Sequence, residues 1–140
     1  MTFSLDPRLA RDSIIIGSNG YNLLLMMNDA RYPWFIVVPR LASACEWFDL
    51  TPEQQIQLHR DCMELGRCVR SAFHCDKINI GALGNIVKQL HIHVLGRYES
   101  DPAWPGPVWG HSAAVPYTEN DKQHRIEQLF KQDRFPFSTA

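Results

Sequence analysis

Two kinds of hydrophobic spacing divide this chain. The first half carries short runs that are apolar on both pleat faces. Ile14-Ile15-Ile16 is strongly β-prone and is stopped by Gly17. Ser18-Asn19-Gly20 is a hairpin signal, because Asn-Gly accepts the positive φ of a tight primed turn. Strands are predicted at 13–17, 21–27 and 34–38, the last stopped by Pro39, giving an antiparallel meander whose sheet is covered on both sides. The spacing then changes. Thr51-Pro52-Glu53-Gln54 supplies an N-cap, a proline at the first helical position and a capping-box glutamine. Leu58, Cys62, Leu65, Val69 and Phe73 follow at steps of four and three, one stripe on a long helix. Gln57, Arg60, Asp61, Glu64 and Arg67 are assigned to its polar face, with His59 beside the stripe and His74 as an end cap. Further strands are predicted at 77–80 and 87–95, a glycine-rich turn at 81–84, a Pro/Trp loop at 101–110 and a short helix at 120–131. A lead-in at 6–11 precedes them. Strands, helix, strands and helix in this order predict an α+β fold, with a mainly antiparallel five-stranded sheet, one long helix and a short C-terminal helix.

A length of 140 residues suits a single domain, 1–140, with its core at about 13–97. Hydrophobic residues at 45% and charged residues at 21% exclude disorder, coiled coil and collagen-like repeats. Net charge is −1, without the basic excess expected of a nucleic-acid binder. The apolar runs at 23–27 and 35–38 fall far short of the roughly 20 residues of a membrane helix, and the first residues lack a signal-peptide pattern. A cytoplasmic protein without nucleic-acid or membrane partners is expected. Cys45, Cys62, Cys68 and Cys75 contain no C-x-x-C pair, so they read as structural thiols rather than a zinc site.

The stretch most informative about chemistry is Gly84-Asn85-Ile86-Val87-Lys88-Gln89-Leu90-His91-Ile92-His93-Val94-Leu95-Gly96-Arg97. On a continuous strand Gln89, His91 and His93 share one face, and Leu90, Ile92 and Val94 the other. The two imidazoles would then stand about 7 Å apart. Three readings compete for them. They could be structural histidines on a solvent face. They could be two ligands of a metalloenzyme, with His111 or Asp101 as a third. Or one could be a nucleophile whose neighbour handles protons.

Gln89-Leu90-His91-Ile92-His93-Val94-Leu95-Gly96-Arg97 resembles the motif of the histidine triad (HIT) superfamily of nucleotide hydrolases and transferases. Phe35-Ile36-Val37-Val38-Pro39-Arg40 resembles that family's apolar strand, and Asp49-Leu50-Thr51-Pro52-Glu53 its entry to the long helix. The resemblance spans roughly 21–97. It implies a HIT-like fold and a nucleotide hydrolase, or a nucleotidyl transferase. His91 would be the nucleophile that attacks an α-phosphate to form a nucleotidyl-histidine, and His93 would contact the leaving-group atom and assist proton transfer. Asn85 and the backbone of Ile86 and Val87 would lie along the phosphates. Asn28 and Asp29 are the candidates for the ribose hydroxyls, and Arg97 for phosphate. Dinucleoside polyphosphates and nucleoside phosphoramidates are the implied substrates. A homodimer is implied, with no cofactor of its own and a divalent metal accompanying only the nucleotide.

Two departures bear on activity. Gln89 stands where the motif has its first histidine, and the family's separate upstream histidine is missing, its place taken approximately by Trp34. Glutamine can donate and accept hydrogen bonds but cannot titrate. Gln89 is therefore expected to orient a neighbour, and His111 is a candidate replacement imidazole. A nucleotide-binding module without turnover is the alternative function. The Pro/Trp loop holds its indoles stiffly, and Trp104 and Trp109 are candidates for a pocket wall, a lid or a subunit interface.

Overall fold

The computed structural model describes residues 2–140. Helix α1 (Pro7–Asp12) leads into β1 (Ser13–Ser18), β2 (Asn22–Met27) and β3 (Trp34–Pro39). A single 3-10 turn precedes the long helix α2 (Pro52–Phe73), and β4 (Lys77–Gly81), β5 (Ile92–Arg97), α3 (Glu119–Phe130) and β6 (Ser138–Thr139) complete the chain. The strands form one antiparallel sheet in the order β4-β5-β3-β2-β1-β6. This is the expected α+β fold with six strands rather than five. The added strand, β6, has two residues, too few to carry a periodicity.

Helix α2 starts as its capping signals dictate. The Thr51 side chain accepts from the Gln54 backbone N–H, and the Gln54 side chain accepts from the Thr51 N–H. Its stripe of Leu58, Cys62, Leu65 and Val69 packs on Leu24, Met26, Phe35, Val37, Ile92 and Val94. The opposite sheet face presents Leu25, Trp34, Ile36, Val38 and Leu95 to Leu9 of α1 and to Ala103 and Val108 of the Pro/Trp loop. All six residues of β3 are buried, as a central strand covered on both faces requires. His74 caps α2 in the left-handed region, and His59 is exposed.

Two local expectations are corrected. Asp61 belongs to no solvated face: it is buried, and its carboxylate accepts from Asn19 and Asn22 at 2.7 and 2.6 Å and from Gln57 at 2.9 Å. This network ties the β1–β2 hairpin to α2. Secondly, β5 begins at Ile92, so 87–91 is no strand. The β3–β5 ladder opens at the Val37–Ile92 pair, and just before it the Leu90 amide bonds to the Ala44 carbonyl. Arg97 is buried within the fold, as detailed below. Gly96 is where segments of the chain must approach closely, since a Cβ there would lie 2.1 Å from Cys75 Sγ and 2.8 Å from Pro33. Cys45, Cys62, Cys68 and Cys75 are all free thiols. Among the described residues no helix is long and apolar enough to cross a membrane.

Candidate active site

His93 sits on β5 between Ile36 of β3 and Gly81 of β4, on the face away from α2. The Trp34 indole, on the same face of β3, donates from Nε1 to His93 Nδ1 at 2.9 Å. An indole nitrogen only donates. Nδ1 of His93 is therefore the acceptor, and the neutral ring carries its proton on Nε2. His93 is 4% exposed, and burial, reinforced by His91, pushes its pKa down to about 3.

His91 lies one residue before the strand and takes the opposite tautomer. Its Nδ1 is 2.7 Å from the Gln89 carbonyl oxygen, which only accepts, so Nδ1 carries the proton and Nε2 keeps its lone pair. The two rings meet edge to face with centroids 5.1 Å apart, closer than two positions along a regular strand. The pair thus offers one bare nitrogen and one N–H donor. Both rings line a cavity of about 360 Å³ together with Asn85, Ile86, Val87 and Trp109. An adjoining cavity of about 430 Å³ shares the walls formed by Met27, Trp34 and Gly110.

The remaining candidates divide. Gln89 turns away from the imidazoles. Its carboxamide donates to the Ser4 carbonyl and accepts from the Asp6 amide, both at 2.9 Å, so the side chain docks the N-terminal segment while its backbone carbonyl holds His91. Asn28 and Asp29 line the second cavity with their oxygens already engaged. Asn28 accepts from the Tyr117 amide at 3.0 Å. Burial pushes the Asp29 carboxyl up, but two bonds from Arg31 and the amides of Arg31 and Val115 outweigh it and leave the group below the usual range.

Arg97 lies far from the cavity, about 13 Å along the strand from His93. Its guanidinium is bound by Asp101 at 2.8 and 3.0 Å, by Asn79 and by the Gly106 carbonyl, with the Trp104 ring 5.6 Å away. Arg97 and Trp104 therefore build the Pro/Trp loop and line neither cavity. Of the two loop indoles, Trp109 alone reaches the site, 5.3 Å from the His93 ring. Gly81 leaves room for it, since a Cβ there would approach the indole to 3.2 Å. His111 is exposed and bonds Ser112 outside the cavity lining. Asp101, proposed with it as a third metal ligand, is spent on Arg97.

Two contributors carry no such signal in the sequence. The sequence marks Trp34 only as the residue in place of a histidine. Its alternation with Ile36 on β3 puts it on the His93 face, but only the sheet register brings the two side chains together. Arg8 donates to the Ile86 carbonyl at 3.1 Å and so holds the 85–87 loop. Seventy-eight residues separate the two, and no local pattern signals the contact.

The family model for the HIT domain matches residues 8–100. The chain belongs to the HIT family. A histidine triad protein from Sinorhizobium meliloti 1021 is similar at 46% identity and a TM-score of 0.91, over 93% of this chain and 96% of that one. One from Marinobacter aquaeolei VT8 is 43% identical with a TM-score of 0.90, over 92% and 94%. Another from Bradyrhizobium japonicum is 40% identical with a TM-score of 0.91, over 94% and 98%. No curated protein matches significantly. HIT proteins are nucleotide-binding or hydrolase superfamily members, and the paired imidazoles of this HIT protein line a cavity large enough for part of such a ligand.

Proposed function

We propose that the protein hydrolyses nucleotides at the α-phosphate, cleaving a phosphoanhydride or phosphoramidate bond through a nucleotidyl-histidine on His91. The observation that carries this reading is the opposite tautomers of the two imidazoles. The His91 Nε2 lone pair forms the N–P bond, and the bond from phosphorus to the leaving group breaks with its electron pair on the departing atom. Positive charge develops on the His91 ring, and the Gln89 carbonyl on Nδ1–H stabilises it. The His93 Nε2–H hydrogen-bonds the departing atom or a phosphoryl oxygen. Water then adds its oxygen to phosphorus, the N–P electron pair returns to His91 Nε2, and the released proton passes to bulk solvent. Asn85 and the 85–87 backbone, held by Arg8, form the wall along which the phosphates lie.

The donor set argues against resident metal, since His93 Nε2 carries a proton and both Nδ1 atoms are engaged. A divalent cation enters only with the nucleotide. A homodimer fits the open edge of β4, where Ile80 is exposed beside Met63 of α2. Four free thiols suit a cytoplasmic protein.

The test is mass spectrometry after acid-free quenching with a nucleoside polyphosphate. A covalent nucleotide mapped to His91 is expected in the wild type and absent in His91→Ala, whose turnover falls by several orders of magnitude. Binding without an adduct in the wild type would instead favour the nucleotide-binding module.

A further inference from the structure

We infer that the site is specific for leaving groups that depart as oxyanions, the phosphate anhydrides, and discriminates against amines, because Trp34 bars His93 from acting as a general acid. This rests on the nucleotide-hydrolase reading above. The geometry is a single contact with a chemical consequence. Trp34 Nε1–H points at His93 Nδ1 across 2.9 Å. Protonating that nitrogen would set two N–H donors against each other in a site where His93 is 4% exposed. The groups packed on the ring offer no relief. Trp34 and Ile36 come from β3, Gly81 from β4, Trp109 from the loop and His91 from the approach to β5. Of these only His91 is an ionisable side chain, and as a like imidazole it opposes a positive charge on His93. Neither indole can accept a proton and pass it on.

His93 therefore holds one proton, on Nε2, which it can share in a hydrogen bond but cannot surrender without becoming an imidazolate. The leaving group decides whether that suffices. When His91 Nε2 attacks an anhydride, the P–O bond breaks and its electron pair stays on a phosphate oxygen. That oxyanion is stable at neutral pH and needs no proton, only the Nε2–H hydrogen bond. When the bond broken is P–N, the pair stays on nitrogen, and an amide anion is too basic to leave. A proton must reach that nitrogen as the bond breaks, and this site has no group that delivers it.

The experiment compares kcat/KM for a diadenosine polyphosphate and an adenosine 5′-N-alkylphosphoramidate, with the adduct on His91 monitored for both. The anhydride is expected to win by about 10²-fold or more, the usual worth of general acid catalysis. Trp34→Phe, which keeps an aromatic ring but deletes the donor, is expected to raise the amidate rate relative to the anhydride. Long-range ¹H–¹⁵N correlation spectra of the wild type supply a readout independent of turnover and of how well that variant folds. His93 is expected to remain the Nε2–H tautomer from pH 5 to 8. Equal kcat/KM on both substrates with the adduct present, or a His93 ring that takes up a second proton in that range, would overturn the inference and leave the hydrolase reading standing. Absence of an adduct with either substrate would overturn the hydrolase reading itself.

Discussion

Acidification should destabilise this protein through one buried ring. His93 is pushed down to about 3 by burial and then by His91, whereas an exposed histidine titrates near 6.5. Between these values the unfolded chain binds a proton that the folded chain refuses. The stabilisation is therefore complete above about pH 6.5 and is lost progressively as pH falls toward about 3. One pKa unit corresponds to about 1.36 kcal/mol, so moving from pH 8 to pH 5 removes about 2 kcal/mol. Other groups titrate over this range too, and a matched variant isolates the ring. His93→Asn places a carboxamide oxygen near the position of Nδ1, where it accepts from Trp34 Nε1, and it cannot titrate. Urea unfolding of both proteins at pH 8, 6 and 5 gives the two stability curves. The wild type is expected to lose about 2 kcal/mol more than His93→Asn between the extremes. Parallel curves would refute the assignment of a neutral, buried His93, and with it the tautomer on which the site chemistry depends.

Two further substitutions separate docking from chemistry. Gln89→Leu leaves the Ser4 carbonyl and the Asp6 amide unpaired and is expected to cost about 1–3 kcal/mol. Gln89→His should recover only part of this, because the two ring nitrogens diverge and cannot meet both groups. Hydrogen exchange at residues 4–8 reads the loss, and unchanged protection in Gln89→Leu would show that the carboxamide holds nothing. Arg97→Met strands Asp101, itself buried, and is expected to cost about 3–5 kcal/mol in chemical denaturation. Where folded, the variant should form the His91 adduct at the wild-type rate. A selective rise in KM for nucleotide with stability intact would return Arg97 to the substrate.

Much of the fold was legible because its signals are local. A capping box, a stripe at helical spacing and a turn dipeptide each lie within a few residues, and α2 and the β1–β2 hairpin follow them closely. The H-x-H pair and the family resemblance were legible for the same reason. Asp61 shows the limit. Its position on the helix reads as polar and solvated, and only the arrival of Asn19 and Asn22 from the hairpin makes it a buried acceptor. Arg97 is the converse case, a basic residue after a histidine pair that suggests phosphate binding until the loop folds back and supplies Asp101.

The division at the site has the same cause. The sequence by itself determined that two imidazoles come from one short segment and that the sheet around them is covered on both faces. It could not determine which nitrogen of each ring carries the proton. That depends on a carbonyl two residues before His91 and an indole fifty-nine residues before His93, and a hydrogen bond between distant side chains exists only once strand register fixes their separation. Spacing along the chain encodes which face a side chain takes. Tertiary structure alone decides what it meets there, and for a histidine that meeting sets which nitrogen carries the proton.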